Sequence, residues 1–246
     1  MSRDERVQRR FYERTAARYD RRFLRSTWPR NQEVKARFVH DELRGAQSVL
    51  EVGCGTGQIA AELLRRDPSL AYVGVDLSPE MLELARARLT AYGPRATLRT
   101  AAAAAIPADD DSVDAAFGVD VLHHVPDRVA ALRELRRVVR PGGRVVFLEG
   151  NPIFPVTLAL ALAQREERGL LSISRRSLAV DFAAAGLVDV RADFAPLYTP
   201  PAPAPIAPAL DTVDRALARM PVLRALALFV RVRASIPESS DSRAAR

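Results

Sequence analysis

The 246-residue chain has one cysteine, Cys54, one lysine, Lys35, and three histidines. A single cysteine excludes an intrachain disulfide and a cysteine-rich metal site. Only His40 stands besides the His123-His124 pair, so a histidine metal cluster is not expected and no metal is assigned. Long hydrophobic runs are missing as well. The longest, Ile153 to Ala163, is interrupted by Pro155 and is too short to span a bilayer. The N-terminal MSRDERVQRR carries acids and lacks an apolar segment, so it does not read as a secretory signal. These absences predict a cytoplasmic protein. The scarcity of lysine also qualifies the formal net charge of +7. The cations are arginines dispersed among acids, as in Arg65-Arg66-Asp67 and Arg165-Glu166-Glu167-Arg168, and only Arg3 to Arg25 forms a basic block. That argues against a nucleic-acid partner. A hydrophobic fraction of 48% is ample for a core, and the length suits one domain with additions.

What is present is an alternation of elements. Asp4 to Leu24 reads as a helix, with Val7, Phe11, Tyr19 and Phe23 in one row. A second helix follows Pro29. Short apolar strands are predicted at Ser48–Val52, Ala71–Val75, Ala96–Thr100, Val113–Gly118 and Arg144–Glu149. Between them lie helices from the glycine loop through Leu64, from Pro79 to about Thr90, and over Asp127–Val139, with Arg140-Pro141-Gly142-Gly143 as a tight turn. Strands alternating with helices of this length predict an α/β fold, a doubly wound, mostly parallel seven-stranded Rossmann-like sheet with helices on both faces. Beyond residue 150, Ile153–Gln164 reads as a cap helix, Arg175–Ala185 as a helix and Leu187–Phe194 as a strand. Residues 199–208 read as a proline-rich crossing, and Asp211–Arg219 as a helix. For Ala225–Arg233 the alternation of Leu226, Leu228, Val230 and Val232 favours an edge strand. The other reading makes Met220–Val232 an amphipathic, arginine-edged helix suited to peripheral contact with a membrane. The domain organisation expected is a helical cap over 1–44, a catalytic domain over 45–235 and a disordered tail over 236–246.

The stretch VLEVGCGTGQ, residues 49–58, ends a strand in Gly53, Gly55 and Gly57. Glycine admits positive φ and close approach of a ligand to the backbone, and a strand–loop–helix of this kind presents free N–H groups. The spacing is G-x-G-x-G, one residue tighter than the dinucleotide fingerprint, so a pyrophosphate is not the expected ligand. Asp76 ends the next strand, where a carboxylate can accept both ribose hydroxyls. The ligand therefore has a ribose, an adenine-like base and something other than pyrophosphate facing the glycines.

With those residues in view, VLEVGCGTGQ, GVDLSPEML, DDDSVDAAFGVDVLHHVPD and LRELRRVVRPGGRVVFLE, in that order, resemble the class I S-adenosylmethionine-dependent methyltransferase family, bacterial small-molecule branch. The close resemblance covers about residues 45–150. RRFYERTAARYDRRF resembles that branch's entry helix. The resemblance implies S-adenosylmethionine as cofactor and a small-molecule methyl acceptor. It implies that Gly53, Gly55 and Gly57 pack against the methionine part and that Glu51 faces its amino group. Asp76 would bind the ribose hydroxyls, Leu77 and Met81 would flank the adenine, Val119 and Leu122 would approach the sulfonium, and Tyr19 would close over the carboxylate. One departure stands out. The aspartate that the family places after the third strand, on the adenine amino group, falls here at Ala102, with Ala103 left to offer a backbone contact.

His123 and His124 lie at the carboxyl edge of the sheet and are the candidate catalytic residues, His124 the stronger of the two. Asp120, Glu149 and Asn151 are weaker acceptor-site candidates at the same edge. Cys54 lacks a base partner and is not expected to be a nucleophile. The acceptor is expected to meet residues 1–44, 151–173 and 196–222, whose apolar Ile153, Phe154, Pro155, Val156, Leu158 and Leu160 favour a greasy metabolite. Alternatives are a lipid-linked or membrane-surface substrate, a nucleic-acid methyltransferase, and a nicotinamide-dependent oxidoreductase. The tight glycine spacing speaks against the last.

Overall fold

The computed structural model describes residues 3–24, 28–195 and 223–238, with the isolated positions 209, 212, 213, 216 and 220; side chains of 3–5, 17–24, 28–31, 223 and 224 lie outside that description. Helices α1 (Arg3–Leu24) and α2 (Trp28–Glu42) lead into β1 (Ser48–Val52), α3 (Gln58–Arg66), β2 (Ala71–Asp76), α4 (Pro79–Leu89), β3 (Ala96–Thr100) and β4 (Val113–Val119). Then come α5 (Arg128–Val138), β5 (Val139–Gly150), α6 (Pro155–Ala163), α7 (Arg175–Ala184), β6 (Val188–Ala195) and β7 (Phe229–Ser235). The strands form one seven-stranded sheet in the order β3-β2-β1-β4-β5-β7-β6, antiparallel only where β7 pairs with β5 and β6. The chain turns back between β1 and β4. Their carboxyl ends therefore open the crevice in which ligands of such sheets bind.

Local chemistry sets the helix starts. Ser78 caps α4 by accepting from the Met81 N–H at 3.3 Å, with Pro79 in the first turn. Asp127 caps α5 through Ala130 N–H at 2.9 Å, and Ser174 and Ser177 form a reciprocal capping box on α7. The sheet is covered on both faces. One layer joins Leu132, Leu135, Phe147, Leu178 and Phe182; the other joins Val39, Ile59, Leu63, Tyr72 and Leu82.

Three expectations change. The turn at Pro141-Gly142-Gly143 lies inside β5, as an irregularity that shifts the pairing from Val113↔Val139 to Ala115↔Arg144. The strand expected at the edge is internal: β7 lies between β5 and β6, and the edges are β3 and β6. Val230, Val232 and Ala234 point into the core, whereas Arg231 on the other face bonds Asp193 at 2.6 Å and Glu42 at 2.6 Å, and Arg233 bonds Glu42 at 3.1 Å. The helix alternative for Met220–Val232 fails over its described part, a short 3₁₀ turn at Leu223–Leu226 followed by strand. Third, Ile236 is buried, and its N–H and C=O pair with Gly143 and Gly142, so order extends into the segment expected to be a tail.

The crossing at 199–208 and most of the helix expected at 211–219 lie outside the described residues. Among the described residues no helix is long and apolar enough to cross a membrane. Phe182 is fully buried and meets Phe147 edge-on at 6.0 Å, remote from the crevice. Phe182→Ala is expected to cost about 3–5 kcal/mol of stability, read by denaturant unfolding; a loss near zero would mean that this layer is not close-packed.

Candidate active site

The crevice between the ends of β1 and β4 is a cavity of about 270 Å³. The glycine loop forms one wall. Gly53 has φ +70°, and a Cβ there would overlap Val121, so the turn demands glycine twice over. Gly55 also lines the cavity. Gly57 does not: it caps α3 with φ +74° and packs on Ala85 and Leu89. Asp76 is fixed by its own backbone surroundings, Oδ2 accepting from Gly55 N–H at 2.8 Å and Oδ1 from Ser78 N–H at 2.9 Å. Burial lifts its carboxyl above the usual range, and those N–H groups pull it back in part.

Glu51 is buried at the end of β1, and Tyr72 donates its hydroxyl to it at 2.5 Å. Burial raises Glu51 to about 8, against the Tyr72 bond and reinforced by the Asp76 charge. Burial, with Asp76 and Glu51 beside it, likewise pushes the Cys54 thiol up well above its ordinary value. Leu77 and Met81 continue this wall, and Ala102 and Ala103 face it from beyond β3. Glu51, Gly53, Gly55, Asp76, Leu77, Met81, Ala102, Ala103 and Val119 thus surround one space. Leu122 does not reach it and is packed in the core. Tyr19 lies on α1, its side chain outside the described residues.

The two histidines separate. His123 is buried behind the cavity, with Nδ1 2.6 Å from Glu149 Oε2 and Nε2 3.3 Å from Glu167 Oε2. Burial opposes its charge, but the two carboxylates prevail and raise it to about 10. His124 faces the cavity, and its Nε2 lies 2.7 Å from the Tyr12 hydroxyl. Burial holds it well below the usual range, the His123 charge adds to this, and Asp120 acts against it. His124 is therefore held neutral and is a weaker base than a free imidazole, whereas His123 is held as a cation. His123, His124 and Glu167 do bring ligand atoms within 4.8 Å of one another, a grouping the sequence reading did not expect.

Glu149 and Asn151 are corrected as acceptor-site candidates. Glu149 is wholly buried and accepts from Val121 N–H at 2.9 Å and Leu122 N–H at 2.7 Å besides its bond to His123. Asn151 donates to the Ala225 and Ala227 carbonyls at 2.9 and 2.7 Å. The remaining wall comes from the N-terminal helices: Gln8, Arg9 and Tyr12 of α1, and Gln32 and Lys35 of α2. No described residue of 151–173 lines the cavity; the 165–172 segment packs on the 122–124 turn, where Gly169 leaves no room for a Cβ against the His123 carbonyl. The signal missed in the sequence was the sole lysine, whose Nζ lies 2.5 Å from Asp120 Oδ2.

The His123 pairing makes stability depend on pH. Its folded value of about 10 exceeds the ordinary 6.5, so its contribution is complete below about 6.5 and is lost as pH rises towards 10. Glu149→Gln is expected to lower stability by about 3–5 kcal/mol near neutrality and to flatten this slope, measured by unfolding across pH. An unaltered slope would mean that His123 is neutral in the native protein.

A family model described as a methyltransferase domain matches residues 49–143. The ubiquinone/menaquinone biosynthesis C-methyltransferase UbiE of Geobacter sp. (strain M21) is 42% identical over 118 residues, 46% of this chain and 50% of that protein. Methyltransferase GfsG of Streptomyces halstedii is 36% identical over 110 residues, 44% of this chain and 39% of its own length. The chain thus spans about half the length of the curated relatives it matches. Among solved structures, a SAM-dependent methyltransferase of Thermotoga maritima, described as a possible histamine N-methyltransferase, superposes with a TM-score of 0.68 at 20% identity, covering 93% of this chain and 99% of that one. At that identity the likeness carries the fold alone. Over its glycine loop, its Asp76 strand end and its fourth strand, the chain is thus similar, within residues 49–143, to the methyltransferase domain family and to the C-methyltransferases named above.

Proposed function

We propose that the chain transfers a methyl group from S-adenosylmethionine to a small, largely apolar metabolite by in-line displacement, chiefly through positioning. The observation that carries this reading is a single cavity with two chemically different ends. At one end Asp76 and Glu51 flank the glycine loop; at the other stand Tyr12–His124 and Lys35–Asp120. The residues fit the cofactor. A buried carboxylate raised to about 8 with one hydroxyl partner is matched to a cation such as an amino group. Asp76, anchored by two backbone donors, retains lone pairs for hydroxyls. Leu77, Met81 and the small Ala102 and Ala103 leave a flat apolar slot for a base.

The cofactor supplies a methyl group already activated on a sulfonium, so the protein's task is alignment. Val119 and Val121 line the cavity, and Gly53 lets the loop close on Val121. His124 Nε2 and the Tyr12 hydroxyl are placed to bond a polar group of the acceptor and hold it in line. The names of the C-methyltransferase relatives support a small carbon-framework acceptor. A second reading, a substrate at a lipid surface, is favoured by the segment around α6, where Ile153, Val156, Leu158, Leu160 and Leu162 are all exposed. Liposome co-sedimentation, reduced by Leu162→Glu, tests it.

The cofactor reading is tested by isothermal titration with S-adenosylhomocysteine, with NAD as control. Asp76→Ala should weaken binding by about tenfold or more, and Ala102→Asp should tighten it by about threefold to tenfold by restoring one hydrogen bond. Binding of NAD alone would overturn the assignment. Because Glu51 is largely protonated at neutral pH when alone, binding of the amino group should release a proton. Titrations in buffers of different ionisation enthalpy should show that release in the wild type and lose it in Glu51→Gln; equal proton release in both proteins would remove Glu51 from this role.

A further inference from the structure

Lys35 brings to the acceptor end a contact with Asp120 that neither the sequence motifs nor the matched family span explains. Lys35 comes from α2, outside residues 49–143. It is 2% exposed, its Nζ lies 2.5 Å from Asp120 Oδ2, and the same atom stands 4.8 Å from the Phe229 ring centroid. As the only lysine of the chain, Lys35 brings a compact point charge to a place where the planar fork of an arginine would not fit the same way. Asp120 holds φ +51° just past β4, secured by its N–H to the Leu148 carbonyl at 2.8 Å. The other two described non-glycine residues with positive φ, Asp111 and Asp189, sit in exposed positions; only Asp120 carries such backbone strain at the cavity wall.

We propose that Asp120, pinned by Lys35, anchors the methyl acceptor and selects a neutral hydroxyl compound over an ammonium or a carboxylate. This rests on the methyltransferase reading of the cavity and extends it to the acceptor. Lys35 occupies one of about four lone-pair sites of the carboxylate, and the Asp120 side chain remains 33% exposed, so it can accept a further hydrogen bond. The pair carries no net charge. An ammonium brought to Asp120 meets the Lys35 charge, and a carboxylate brought to Lys35 meets Asp120. Among the described residues of this wall, Asp127 spends its carboxylate on the start of α5, accepting from Ala130 N–H at 2.9 Å. Arg9, the other cation on the wall, is paired with Glu13 at 2.6 Å, and His124 is neutral. A hydroxyl fits because it can donate to Asp120 and accept in turn from a neighbouring donor. Asp120 is the contacting group; Lys35 is a positioning residue that fixes the sign of the site.

The test uses three near-isosteric probes, 2-phenylethanol, 2-phenylethylamine and phenylacetate, titrated near neutral pH into the full chain saturated with S-adenosylhomocysteine. The wild type should bind the alcohol about tenfold or more tighter than either ion. Lys35→Met should move the preference to the amine, and Asp120→Asn, in a residue type that tolerates the same backbone conformation, should move it to phenylacetate. Both variants should keep S-adenosylhomocysteine affinity within about twofold, since neither residue bonds Glu51, Asp76 or the glycine loop among the described contacts. Lys35→Gln serves should the methionine variant not fold. A wild-type preference for either ion, an unchanged order in the variants, or no saturable binding of any probe overturns the proposal. Failure of S-adenosylhomocysteine to bind the wild type would instead overturn the cofactor reading, and this inference with it.

Discussion

The carboxylate of Glu149 is the point on which the acceptor side of the molecule turns. It has no access to water, so every lone pair must find a donor inside the protein or be lost at high cost. It finds the N–H groups of Val121 and Leu122 and the Nδ1 of His123. Those three bonds dictate the path of the chain leaving β4. They place Val121 against Gly53, put His123 inward and force its neighbour His124 towards the cavity. The same carboxylate keeps His123 charged, and that charge helps keep His124 neutral. One buried acid on β5 thus sets both the shape and the protonation of a turn that it does not belong to.

The two ends of the cavity are built in different ways. The glycine-loop end is assembled at shorter range: Gly55 bonds Asp76 across 21 residues, Ser78 bonds Asp76 across 2 and Met81 bonds Ser78 across 3, all through backbone N–H groups. The acceptor end is assembled at long range, from Tyr12 and Lys35 on the N-terminal helices meeting His124 and Asp120 across 112 and 85 residues of sequence, respectively. Changes on α1 and α2 can therefore alter what the far end recognises while the first end stays intact.

That division also marks what the sequence discloses. Gly53, Gly55, Asp76 and Ser78-Pro79 are legible because each answers a backbone requirement at a fixed offset from its neighbours. The strand nature of β7 is legible from its alternation, but its place inside the sheet is not. Arg231 and Arg233 imitate a solvent-facing edge, and their partners, Glu42 and Asp193, are distant in sequence. His123 and His124 are adjacent and chemically identical on paper. They part only because Glu149 and Glu167 fold back onto the first. Leu122 shows the same limit: its position after β4 is right for the cavity, yet the turn rotates its side chain into the core.

Cys54 lies in the wall of a cavity proposed to hold an alkylating agent. Sulfur is the most nucleophilic side-chain atom available to a protein, but the thiolate is the species that attacks. Burial, with Asp76 and Glu51 close by, makes that anion hard to form. The acids that suit the loop to a ribose and an amino group thereby also suppress self-methylation, so the protein can hold a reactive donor without becoming its first target.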